Sequence, residues 1–175
     1  PLEPEILEQI PKNPSPETEV NFLVRCQKDP HSLSEGDYLK RAQDLITQAT
    51  QLAPECGLAQ ADLTYVAVRI GFALETSVFI AAAVNLSQTL PRLSVTLITM
   101  SGSDRTHARI GGLGGAEITE LPEEEVRRVL KDLAALKNAG RIKPGNHRVI
   151  FGPEVTCVLA HEAFGHSQEG DTCAR

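Results

Sequence analysis

Tryptophan is absent from this chain, and aromatic residues fill only 4% of its 175 positions. That leaves little for the base-stacking surface that single-stranded nucleic-acid binders use. Positive charge is also scarce: 17 Lys and Arg stand against 23 Asp and Glu, giving a net charge of −6 and an isoelectric point of about 5.4. Direct nucleic-acid binding and docking on an anionic membrane both require a basic face, so neither is expected. The longest apolar run, Val78 to Val84, has seven residues, where a membrane helix needs about 20. Cys26, Cys56, Cys157 and Cys173 form no C-x-x-C pair, which excludes zinc-ribbon and thioredoxin-like readings. There is no initiator Met, and Pro1-Leu2-Glu3-Pro4-Glu5 is acidic where a signal peptide is basic and then apolar. A cytoplasmic protein with reduced thiols is the expectation. What is present, 41% apolar and 23% charged residues, is the composition of an ordinary globular domain.

Six of the 11 prolines fall in residues 1–34. Each fixes φ and removes a donor, so this part is expected to be a poorly ordered N-terminal segment. At most it holds a short strand or helix within Glu19–Gln27. Residues 35–145 are read as an α+β N-terminal domain and 146–175 as the start of a catalytic region. Leu39, Ala42, Leu45, Ile46, Ala49 and Leu52 recur at helical spacing and predict a helix over 35–53, with Ser34 as N-cap and Pro54 as stop. The period then changes. Residues 63–70, 76–84, 93–99 and 106–110 are rich in Thr, Val and Ile and predict an antiparallel meander, with a hairpin end at Ser101–Asp104. Gly111-Gly112-Leu113-Gly114-Gly115 reads as a flexible turn, since no Lys-Ser/Thr follows to make a phosphate loop. A second helix is expected over 122–138: Pro122 suits its first position, and Glu123, Glu124 and Glu125 suit the positive end of its dipole. Val126, Val129, Leu130, Leu133 and Leu136 form its apolar stripe, and Gly140 is its stop. Residues 147–151 read as a short buried strand. A third helix begins near Glu154, with a buried apolar lead-in over Val155–Ala160. The fold class is α+β: an antiparallel sheet flanked by helices, ending in a metal-binding helix.

That last helix carries the chemistry. His161, Glu162 and His166 form an H-E-x-x-x-H pattern. Two neutral imidazoles can bind a zinc ion, and the Glu beside the first can take a proton from a metal-activated water. The spacing poses a geometric problem. Residues i and i+5 lie about 140° apart on a regular α-helix, so both His can share one metal only if the helix widens or breaks. A π turn would bring them together, and Gly165 would ease it, so a π-bulge or break is predicted near Phe164–Gly165. Zinc needs a third protein ligand. Cys173 reads as an incidental thiol, and Glu169 as a local candidate that could instead support a ligand. Cys157 reads as a small buried apolar residue. His31, His107 and His147 have no partner at useful spacing and read as surface or edge-strand residues.

The segment His161-Glu162-Ala163-Phe164-Gly165-His166-Ser167-Gln168-Glu169-Gly170-Asp171 resembles the H-E-A-x-G-H-x-x-E-x-D block of the TldD/PmbA family of metallopeptidases. Val149-Ile150-Phe151-Gly152-Pro153-Glu154 is similar to the family's approach to that block, and the order of elements is similar too. The likeness runs from about Asp29 to Asp171, the N-terminal portion of such proteins. Asn85–Arg92 departs from the family's Asn-x-x-Gly turn. The resemblance implies His161 and His166 as zinc ligands, Glu162 as general base, and a third ligand that is a Cys beyond Arg175, so that this chain alone would be inactive. It implies the TldD-like catalytic type, hydrolysis of unstructured peptides or proteins, and a homodimer or a heterodimer with a PmbA-like subunit. The family was also named as a modulator of DNA gyrase. The competing readings are a non-catalytic interaction or scaffold domain of such a complex, and a local structural zinc site built on His161, His166 and Cys173.

Overall fold

The structure is a computed structural model that describes residues 18–81 and 84–169. The chain divides into two compact units, Pro1–Ala139 and Gly140–Arg175. In the first unit, strand β1 (Thr18–Leu23) precedes helix α1 (Glu35–Leu52). Strands β2 (Tyr65–Ala81), β3 (Val84–Ser101) and β4 (Asp104–Leu113) come next, then helix α2 (Glu123–Lys137). Strand β3 is the centre of the sheet. It pairs antiparallel with β2 without a register break from Tyr65↔Met100 to Ala81↔Val84. Its other edge is shared: β1 runs parallel to residues 84–89, and β4 runs antiparallel to residues 92–101.

The strand predictions were too short and split in the wrong place. The residues expected as two strands, 63–70 and 76–84, contribute to a single strand over Tyr65–Ala81, because Gly71–Glu75 continue the ladder instead of turning, while Val84 begins β3. Asn85–Arg92 likewise make no turn and lie within β3. Gly111 and Gly112, read as part of a flexible turn, are paired in β4. The hairpin at Ser101–Asp104 is where the sequence places it. Ser101 pairs with Asp104, and Gly102 takes φ 59° at the first central position of the two-residue turn, a conformation open to glycine at no steric cost.

The helices form where expected, to within a residue or two. Ser34 caps α1 through a reciprocal pair of bonds with Asp37, 3.2 Å to the Asp37 N–H and 2.8 Å from the Ser34 N–H to the carboxylate. Pro122 is the cap of α2 and not its first residue. Both helices pack on the face of the sheet that carries Val95 and Leu97. Leu45, Ala49 and Leu52 come from α1, and Val126, Leu130 and Leu133 from α2. Full burial of each such Val or Leu stabilises by about 1.5–3 kcal/mol. The stripe on α1 fails at one end, where Leu39 is exposed. The buried Thr99 hydroxyl is satisfied. Thr106 gives its proton to the Val129 carbonyl (3.0 Å), so Thr99 donates to Thr106 (2.8 Å). On the outer part of β2, Leu74, Val78, Phe79 and Ile80 stay exposed.

A polar junction ties residues 26–28 to the turn after β4. The Glu117 carboxylate accepts N–H bonds from Gly115 (2.8 Å), Lys28 (2.9 Å) and Gln27 (3.3 Å). Its partial burial raises the pKa, but these bonds outweigh it and bring the group from 4.5 to about 2. The folded pKa lies below the unfolded one, so the stabilisation is complete above pH 4.5 and is lost as pH falls towards about 2. Glu117→Gln is expected to cost about 1–2 kcal/mol at pH 7, a figure reduced for the solvent that reaches the group. It should also flatten the fall in stability between these pH values. Urea unfolding at pH 7, 4.5 and 3 checks both; an unchanged acid limb would refute the assignment.

The second unit is described over residues 140–169. Residues 147–151, predicted as a buried strand, form no strand and are exposed, because among the described residues no strand edge pairs with them. Helix α3 (Pro153–Ala160) starts at the Gly-Pro turn. Its apolar lead-in is exposed as well: Val155, Val158 and Leu159 are all half open to solvent.

Candidate metal centre

The helix does change pitch where the spacing demanded it. His161–Gly165 form a π turn directly after α3, and the His166 N–H donates to the His161 carbonyl, an i→i+5 bond. The extra residue per turn swings His166 back over His161. The two imidazole centroids lie 4.6 Å apart at 66°. Gly165 contributes differently from the prediction. Its φ of −62° is ordinary right-handed helix, so no special backbone freedom is used. A Cβ there would rest 3.5 Å from Nδ1 of His161, in ordinary contact with the ring it now leaves clear.

Ligand atoms of His161, Glu162 and His166 all lie within 4.8 Å of one another. His166 lies between two carboxylates. Its Nδ1 is 2.8 Å from Oε1 of Glu169, and its Nε2 is 3.5 Å from Oε2 of Glu162. A carboxylate on Nδ1 fixes that nitrogen as the protonated one and turns Nε2 outward as the free donor. Glu169 therefore stands where a ligand's supporting group stands. Two imidazole nitrogens and a carboxylate form a donor set that suits zinc and its neighbours among divalent metals. The side chains are accessible: those of His166 and Glu162 are 49% and 62% exposed.

Among the described residues, the group able to hold a metal ion is His161, Glu162 and His166. Cys157, predicted buried, is exposed, because the helix face that carries it packs against nothing described. Cys173 lies outside the described residues. The His31 ring meets Phe72 edge-on at 5.1 Å. His107 is exposed on β4, and a ring nitrogen of His147 bonds the Lys143 carbonyl at 2.7 Å.

Fold and site together define a class: an α+β unit followed in the chain by a π-turned helix whose His-Glu-x-x-x-His cluster can hold a metal ion. No family model matches the sequence. The chain is similar to a protein of Methanothermobacter thermautotrophicus named Metalloprotease, with 27% identity over 153 residues. The match takes in 85% of this chain and 32% of that protein, so the chain spans about a third of the relative's length. No helix among the described residues is long and apolar enough to cross a membrane.

Proposed function

We propose that this chain carries part of a zinc-dependent metallopeptidase of the TldD/PmbA type, on the TldD-like catalytic side, acting on unstructured peptides or proteins. The observation that carries the reading is the π turn that gathers His161, Glu162 and His166 into one cluster. The similarity to a protein named Metalloprotease supports it. His161 and His166 are the metal ligands, and a cysteine beyond Arg175 is the third. When bound, the ion supplies Lewis acidity, which makes water nucleophilic near neutral pH and polarises a peptide carbonyl. The chain's own residues supply the rest. Glu169 orients the His166 ring. Glu162 accepts the proton of the attacking water at a carboxylate oxygen and returns it to the departing amine. The exposed Leu74, Val78, Phe79 and Ile80 of β2 favour a second subunit, a copy of this chain or a PmbA-like partner. We place the protein in the cytoplasm.

Metal analysis of the intact protein is the test. One zinc per chain is expected, with retention lost in His161→Ala and in His166→Ala. Chelation should stop hydrolysis of an unfolded protein such as casein, and added zinc should restore it. Hydrolysis that persists in metal-free protein would overturn the reading. Zinc lost on removal of Cys173 as well as in the two His variants would point instead to the structural site built on His161, His166 and Cys173.

A further inference from the structure

The face of the sheet turned away from the helices carries positive charge that the catalytic reading does not use. Residues of three strands meet there in register. Arg69, Thr96 and Arg109 form one cross-strand row, Gly71, Ser94 and Gly111 the next, and Ala73, Arg92 and Leu113 the one after. An open groove of about 700 Å³ is lined by Arg69, Arg92 and Arg109 over Gly71, Ser94 and Gly111.

Three features of this groove go together. Its floor is bare: a Cβ on Gly71 would come 3.0 Å from Oγ of Ser94, and one on Gly111 would come 3.0 Å from Cβ of Ser94. Glycine inside a strand costs about 0.5–1 kcal/mol relative to Ala, and here two of them leave the Ser94 hydroxyl uncovered. The banks are charged. Arg69 and Arg109 are exposed, with no ion-pair partner among the described residues, and they flank the central strand about 10 Å apart, two strand spacings. Arg92 stands on the opposite side of the Ser94 row, 3.6 Å from Glu75. Like charges across a sheet repel, so an anion between them would relieve the face. The cations are also all arginine, whose planar fork binds carboxylate or phosphate oxygens in pairs.

We infer that this groove is a binding site for a compact, multiply charged oxyanion, held by Arg69, Arg92 and Arg109 over the Gly71–Ser94–Gly111 floor. Its small footprint within a chain of net charge −6 favours a small ligand over a nucleic acid or a membrane surface. Phosphoryl groups and clustered carboxylates share this chemistry.

Calorimetric titration of the intact protein with inorganic pyrophosphate, and separately with citrate, both at constant ionic strength, is the experiment. At least one of the two should bind. Binding of pyrophosphate alone assigns a phosphoryl ligand, and binding of citrate alone a carboxylate ligand. Arg69→Gln and Arg109→Gln should each weaken that binding about tenfold or more, the scale of one lost charge-assisted pair. Arg128→Gln, which removes the same charge from helix α2, should leave affinity within about twofold. The three variants alter exposed side chains, and matching melting temperatures without ligand check that they fold. No heat and no ligand-dependent rise in melting temperature with either anion would overturn the proposal. So would equal weakening in Arg128→Gln. The readout is binding, so loss of peptidase activity elsewhere in the protein does not affect it.

Discussion

Replacing Glu162 with Gln is expected to lower kcat/KM of the intact protein for peptide hydrolysis by about 10²–10⁴-fold, the usual contribution of a general base. Gln keeps the size and a hydrogen-bonding oxygen but cannot take a proton. The loss should therefore fall on kcat, with KM little changed, the signature of an interaction made only in the transition state. Position is the argument for this role. Glu162 follows His161 directly, and its Oε2 lies 3.5 Å from Nε2 of His166, the nitrogen that faces away from Glu169. A carboxylate there borders the space a metal and its water would share. The same closeness allows a rival role as a third metal ligand, and metal content separates the two. Zinc retained with activity lost supports the base. Zinc and activity lost together make Glu162 a ligand, and full activity removes it from the mechanism.

The gathering of His161, Glu162 and His166 was legible in the sequence because the distortion it needs follows from arithmetic. Two His five apart cannot share an ion on a regular helix, so an H-E-x-x-x-H pattern with chemical purpose requires a wider turn, and His161–Gly165 provides one. The helix stripes were legible for a similar reason: 3.6-residue periodicity and a capping residue are local. The strands were harder. Gly71 and Gly111 look like breaks in a linear reading, yet each sits opposite Ser94 inside the sheet. What excuses them is close approach across strands, which sequence alone does not show. The same limit hid the arginine groove. Arg69, Arg92 and Arg109 stand far apart in the chain, and only the register of β2, β3 and β4 brings them onto one face. Burial in the last segment was misjudged for a different reason. Val155, Val158 and Leu159 have the composition of an interior helix, but composition states only what a helix can bury against. Within the described residues nothing covers it.

Gly115→Ala is expected to destabilise the first unit by about 2–4 kcal/mol, at or above the upper end for an overpacked site. A Cβ at this position would fall 1.9 Å from the Lys28 carbonyl oxygen and 2.7 Å from Cβ of Cys26. The nearest obstacle is backbone, so rotating a side chain cannot relieve the clash, and residues 26–28 must move away. Moving them breaks a set of bonds at once. The Ala116 N–H donates to the Lys28 carbonyl at 2.8 Å, and the Lys28 and Gln27 N–H groups donate to Glu117. Lys28 also pairs with Glu120. The turn itself would stay anchored on its other side, where Arg41 of α1 donates to the Ala116 carbonyl (2.9 Å) and to the Thr119 hydroxyl (2.8 Å). The damage should therefore be directional. Hydrogen exchange should quicken at the Gln27, Lys28 and Ala116 amides, while the amides of α1 and α2 keep their relative protection. Glu117→Gln, which weakens the same junction without a clash, should show the same pattern at smaller amplitude. Unchanged protection at Ala116 in Gly115→Ala, or an even loss of protection across α1 and α2, would show that this junction is not what holds residues 26–28 to the turn after β4.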